Sequence, residues 1–222
     1  MVEKWLNDPV NLVAFFIDCN CLPISVTGGG PGESGANPAR WDTLIQRAFY
    51  NGWKSIHGLK YPTLDNAYGM TFDMHGPTSL RRNDLYVLAK SDINNRIAEI
   101  QLQAMLQFII FGDSAYKTRS HTRSYYTRDD MRHCHRRWNS KLKSVRESIE
   151  WNYGYTSALF RYIMTKRKFK LMNAGIVSKV YIVATLLRNF HVALYGGQTS
   201  NYFGLDMPHD FLEHYINQTN FD

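Results

Sequence analysis

The sequence predicts an α/β or α+β domain with its strands early and its helices late. Three observations carry this. Residues 11–19 (NLVAFFIDC) and 107–112 (QFIIFG) are apolar runs too short for helices, and they read as buried strands. Residues 54–66 and 67–77 alternate in part around Asn66 and Gly69, as the arms of a hairpin do. Residues 81–106, 140–164 and 173–197 space their apolar side chains at helical intervals instead.

Taken in order, the first strand runs over 11–19 and ends at Asp18, with 22–27 as a short continuation or an edge. Residues 28–39, GGGPGESGANPA, hold five glycines and two prolines and form a loop. Residues 40–53 allow one helical turn before Asn51-Gly52. The hairpin follows, and then a helix over 81–106 with a break near Ser91, its apolar face built from Leu85, Leu88, Ile93, Ile97, Ile100 and Leu102. The second buried strand, 107–112, delivers Asp113 at its tip. Residues 117–139 are polar, basic and irregular. Ser140 is a candidate N-cap for a helix over 140–164, and Gly196-Gly197 stops the helix over 173–197. The tail, 198–222, reads as loop.

A chain of 222 residues that is 44% hydrophobic can bury a core as one domain, 1–222. No apolar stretch reaches the roughly 18 residues of a membrane span, and the N-terminus has no signal-peptide pattern. Three cysteines give no disulfide framework, so a reducing compartment is expected. Net charge is +7, and its location matters more than its size. From Lys117 to Arg146 there are ten Lys or Arg against Asp129 and Asp130, a local +8. Such a block expects a polyanion, most often nucleic acid. Its candidate contacts are Lys117, Arg119, Arg123, Arg132, Arg136, Arg137, Lys141, Lys143 and Arg146.

Three acids stand where chemistry would need them. Asp18 and Asp113 end the two buried strands, and Glu150 lies mid-helix. If the strands run side by side and parallel, both aspartates emerge at one sheet edge, and a helix across that edge adds Glu150. Converging carboxylates repel unless a hard cation neutralises them, and Mg²⁺ or Mn²⁺ prefers such oxygen ligands. Two metals at such a site activate water and stabilise the leaving oxygen of a phosphodiester. A basic loop between the second and third acids would then hold the DNA backbone.

Several segments together resemble the nuclease domain of PIF/Harbinger-type DDE transposases. These are FFIDC, FYNGWKSIHGLKY, GMTFDMHGPTSLRRNDLYVL, GDSAY, NSKLKSVRESIEWNYG, LLRNFHV and LYGGQ, in family order across roughly 11–215. The resemblance implies an RNase H-like fold, a central mixed β-sheet flanked by α-helices, with the first Asp on the first strand and the second after the fourth. It implies a catalytic triad of Asp18, Asp113 and Glu150, with Asp84 as a further metal ligand and Mg²⁺ or Mn²⁺ as cofactor. It implies DNA as substrate, a nuclear location and a separate Myb-like protein for DNA binding and nuclear import. Full-length members carry an N-terminal helix-turn-helix region, which is expected to be absent from this chain. Cys19-Asn20-Cys21 follows the first Asp where members commonly carry a small residue and then Thr or His.

Plainer readings stand beside these. Asp18 and Asp113 suit turns, Asp84 suits an N-cap, Asp65 a turn and Asp73 a solvent-facing strand position. Glu150 suits a surface ion pair with Arg146, four residues earlier. His133-Cys134-His135 has the wrong spacing for zinc, and the triple glycine at 28–30 lacks the Lys-Ser or Lys-Thr of a phosphate loop. Trp138 and Trp151 are candidates for base stacking, with core packing favoured for Trp151. The alternatives to a metal-dependent nuclease are an inactive transposase relic that binds nucleic acid or acts as a scaffold, and an unrelated nucleic-acid-binding module.

Overall fold

The computed structural model describes residues 12–25, 46–105, 108–116, 118, 121–126, 133–164, 174–207 and 210–213. The loop expected at 28–39 lies outside them, as do Lys117, Arg119 and Arg132.

The described elements are β1 (Leu12–Pro23), β2 (Tyr50–Asn51), β3 (Ile56–Asn66), β4 (Thr71–Met74), β5 (Thr78–Ser79), α1 (Asp84–Lys90), α2 (Ile93–Ala104), β6 (Phe108–Gly112), β7 (Thr122–Arg123), α3 (His133–Leu159), a 3-10 turn (Arg161–Met164), α4 (Ala174–Tyr195) and α5 (Gln198–Phe203). They form one mixed sheet of seven strands in the order β2-β3-β1-β6-β7, with β4 and β5 also paired to β3. β1 runs antiparallel to β3 and parallel to β6, and β6 runs parallel to β7.

Helices cover both faces, which is why β6 is buried along its whole length and reads as an unbroken apolar run. On one face Phe16, Ile109 and Phe111 pack beneath Leu142, Val145 and Ile149 of α3. Leu22, Leu59 and Tyr61 meet Val177, Tyr181 and Ala184 of α4. On the other face Ile17, Leu64, Phe108 and Ile110 meet Leu88 of α1 and Ile93 and Ile97 of α2. A long central β1, antiparallel partners on one side, parallel partners on the other and helices on both faces make this an RNase H-like α/β fold.

The hairpin forms where expected, turning through Gly69, whose φ of 85° suits glycine. The break between α1 and α2 falls at Ser91 and Asp92 as anticipated. Four expectations need correction. β1 does not end at Asp18; it runs on to Pro23 because β3 pairs with it from Cys19↔Pro62 to Pro23↔Gly58. α3 begins by His133, so Ser140 lies inside it and caps nothing. Its first turns are fastened by Asn139, whose side chain accepts from the Tyr126 amide and donates to the Tyr126 carbonyl, both at 3.0 Å. The segment after 197 is not all loop: Gln198–Phe203 is helical, docked on α3 by Thr199 Oγ1, which donates to Asn152 Oδ1 at 2.8 Å and the Ser148 carbonyl at 3.0 Å. Finally, Gly175–Tyr195 is long and apolar enough to cross a membrane by length and composition. In this fold that helix packs on the sheet and buries Arg188 and Asn189.

Those two residues explain Asp65, which is no turn residue. It sits in β3 at 0% exposure. Its carboxylate accepts from the Thr63 and Thr71 hydroxyls, each at 2.6 Å, and lies 4.0 Å from Arg188. Arg188 also donates to the Gly69 carbonyl at 2.8 Å. Asn189 accepts from the Thr71 amide at 3.0 Å and donates to the Thr71 carbonyl at 2.7 Å. α4 is thereby fixed to the hairpin by polar bonds, not by apolar packing alone. Asp73 is likewise engaged, 2.8 Å from Arg96 of α2.

The tip of β6 is tightly filled. A Cβ on Gly112 would stand 2.7–2.8 Å from three Tyr116 side-chain atoms, and Tyr116 is buried in the core. Gly112→Ala is therefore expected to cost about 1–3 kcal/mol, as overpacking does. Urea denaturation measures this, and an unchanged midpoint would contradict the packing described.

Candidate active site

Strand register brings the two aspartates together. β1 and β6 pair as Val13↔Ile109, then shift by one residue before Phe15↔Ile110, Phe16↔Phe111 and Ile17↔Gly112. That irregularity in β1 sets the frame for everything beyond it. One residue past the last pair stand Asp18 and Asp113. Phe16 and Phe111 face α3, and side chains two residues on share that face. Asp18 and Asp113 thus meet the same helix as the phenylalanines, at the point where β6 stops and opens the sheet.

α3 supplies the rest. Leu142, Val145 and Ile149 point inward, so Arg146 and Glu150, one position later and four apart, line the flank. Arg146 Nη2 lies 2.5 Å from Glu150 Oε1, and Nη1 lies 3.6 Å from Asp113 Oδ2. One guanidinium therefore holds a carboxylate from the sheet and one from the helix. Asp18 also feels this charge. Burial pushes its carboxyl up to about 6, the Cys19 amide at 2.7 Å and Arg146 pull it down, and Asp113 and Asp84 push it up again. Burial is the largest of these influences.

Asp84 belongs to the same neighbourhood. It is not the N-cap of α1; Asn83 fills that position and accepts from the Tyr86 amide at 2.7 Å. Asp84 instead takes Lys60 Nζ at 2.6 Å, and that ammonium also donates to the Arg82 carbonyl at 2.8 Å. Cys19 Sγ lies 3.2 Å from the Tyr116 hydroxyl. Burial first, then the charge of Asp84, pushes the Cys19 thiol up, so it is a neutral packing group. Sequence reasoning missed Lys60 and Tyr116. Lys60 sits in an apolar strand, and its role depends on an acid 24 residues away.

The donor set is all oxygen and partly buried, and so it fits a hard divalent cation. Among the described residues, however, no three His, Cys, Asp or Glu side chains stand close enough to grip an ion as they are. Arg146 occupies the space between Asp113 and Glu150.

A groove of about 620 Å³ runs from this cluster along α3, lined by Tyr125, Asn139, Ser140, Lys143, Arg146, Glu147 and Glu150. Of the basic candidates, Arg136, Arg137 and Lys143 are exposed on α3, Lys141 and Arg123 are half-buried, and Arg146 stands within the carboxylate cluster. Trp138 packs against the core, and Trp151 stands edge-on to Tyr202. His135 stacks on Tyr126 with centroids 4.0 Å apart.

The RNase H-like sheet thus carries two acids at its adjacent parallel strands and a third on the helix above. A family model of DDE superfamily endonucleases matches residues 37–189, 153 of the chain's 222 residues, and the chain belongs to that family. The matched span includes Asp84, Asp113, Arg146 and Glu150; Asp18 precedes it and joins the site through strand pairing. No curated protein and no solved structure matches.

Proposed function

We propose that this chain is a divalent-metal-dependent DNA endonuclease of transposase type. Asp18, Asp113 and Glu150 are its catalytic carboxylates, and Asp84 is an outer acid of the same site. The observation that carries this reading is the placement of Asp18 and Asp113 on adjacent parallel strands beneath the helix that bears Glu150. Mg²⁺ or Mn²⁺ bound there supplies an activated water and charge stabilisation for the leaving oxygen. The chain's own residues do the rest. Asp18 and Asp113 hold the acid end of the groove on rigid strands. Glu150 would leave Arg146 to help hold that cation. Arg146, once released, faces the groove and neutralises phosphate. Arg136, Arg137 and Lys143 extend that contact along the DNA backbone. A separate Myb-like protein supplying target recognition and nuclear import would complete the scheme.

One observation favours a second reading. Arg146 already satisfies both Asp113 and Glu150, as in a relic whose site is closed by its own counter-ion. Supercoiled plasmid separates the two. The first reading expects nicked circles with Mg²⁺ or Mn²⁺ and none with chelator. Glu150→Gln should lower nicking at least about 100-fold, as loss of a metal ligand does. Arg146→Gln should leave the metal-free protein less stable at pH 7, a deficit that Mn²⁺ restores. Plasmid bound but never cut, with Glu150→Gln behaving like wild type, would establish the relic.

A further inference from the structure

The turn between β2 and β3 holds a tryptophan in water. Trp53 is 96% exposed, although an indole normally buries most of its large apolar surface. The turn is well fastened. Asn51 Oδ1 accepts the Lys54 amide at 2.9 Å, and Asn51 Nδ2 donates to the Leu80 carbonyl at 2.9 Å. Ser55 adopts a left-handed φ of 52° to close it. The backbone therefore presents the indole at a defined place.

Its surroundings are cationic and aromatic. Arg47, Tyr50, Asn51, Gly52 and Arg81 line a groove of about 350 Å³. Arg81 also lines an adjoining groove, where the Arg82 guanidinium lies 4.7 Å from the Tyr86 ring centroid. Among the described residues, no carboxylate lines either groove. On its other side the turn reaches β1. Lys54 Nζ donates to Cys21 Sγ at 3.1 Å, three residues beyond Asp18. Burial alone would lower the Lys54 amine, but the Cys21 sulfur and the charges of Asp18 and Asp84 hold it above its ordinary value. Trp53 thus stands on a turn tied to β1 three residues beyond Asp18.

We propose that Trp53 is a base-stacking platform for an unpaired nucleotide of the DNA substrate, with Arg47 and Arg81 holding the flanking phosphates. This rests on the DNA-endonuclease reading. Every nucleobase offers a π-face, and cations beside an aromatic suit a strand that alternates bases with phosphates. A paired duplex keeps its base faces stacked, so the ligand is a frayed, flipped or single-stranded base. A protein partner would offer the indole an apolar pocket, whereas its neighbours Gly52, Lys54 and Ser55 are themselves exposed.

The test is fluorescence anisotropy in chelator, where no cleavage occurs, with a short labelled duplex and the same duplex bearing a single-stranded tail. Wild type should favour the tailed DNA. Trp53→Ala should weaken tailed-DNA binding about tenfold and leave duplex binding within about twofold, and Trp53→Phe should keep most of the preference. Melting temperatures should coincide, because the side chain is in solvent. Equal binding of both DNAs by Trp53→Ala and wild type would overturn the proposal and turn attention to a protein ligand. An equal loss on both DNAs would overturn it too. Wild type that binds neither DNA would bring down the DNA reading itself, a distinct failure.

Discussion

Asp18→Asn is expected to cripple nicking and yet to make the metal-free protein more stable at neutral pH. Loss of a strand-held ligand removes several kcal/mol of charge stabilisation, so activity should fall by about 10³-fold or more. The stability gain follows from linkage. Burial raises the folded carboxyl from 3.8 to about 6, so the folded state holds that proton more tightly than the unfolded chain does. Below pH 3.8 the group is protonated in both states and costs nothing. Between pH 3.8 and 6 the folded state progressively loses stability, and above pH 6 the full penalty applies, about 3 kcal/mol. Asparagine removes the penalty and keeps an oxygen for the Cys19 amide. A gain of roughly 6–12 °C in melting temperature at pH 7, shrinking on acidification and vanishing below pH 3.8, is expected for a chain of this size. Mn²⁺ should stabilise wild type above pH 6, lose its effect on acidification, and do little for the variant. A variant less stable than wild type at pH 7 would mean that Asp18 is a structural acid.

Arg188→Met should be the most damaging single change away from the site, costing about 3–5 kcal/mol by urea denaturation at pH 7. Asp65 would remain wholly buried with only two hydroxyl donors. Burial raises its carboxyl, and Arg188 is the largest influence lowering it. Without that cation the carboxyl rises further, so the variant's deficit should shrink as pH falls and Asp65 takes up a proton. The double change Asp65→Asn with Arg188→Met should recover much of the loss, because no buried charge is left. A double variant that costs the sum of the single ones would show that the two residues act independently.

The strand that ends before Asp113, the helix that carries Glu150, the hairpin and the broken α1–α2 helix were legible because each is local. A tip glycine before a carboxylate, a helical apolar face and Asn66 with Gly69 announce themselves within a few residues. β1 looked finished at Asp18 because Asp18 and Asn20 are polar; it continues because β3 pairs with it and Asn20 bonds the Tyr181 hydroxyl of α4. The start of α3 was hidden because His133–Asn139 bury little, leaving no apolar period to read. Asp65 looked like turn chemistry beside Asn66, and nothing nearby reveals an arginine 123 positions later. Arg146 read as part of the basic block because charge counting ignores direction; the helix aims it at the two acids.

Asn189 has a consequence for the company the molecule keeps. Edge strands expose unpaired amides and carbonyls that invite another chain's strand, the usual start of aggregation. On β4, the amide and carbonyl of Thr71 are already taken by one side-chain carboxamide at 3.0 and 2.7 Å. The Asn189 side chain lies where the next strand's backbone would lie, and it has nothing further along to propagate. The sheet is closed at that point by a helix that mimics one peptide unit, so a second copy finds no template there.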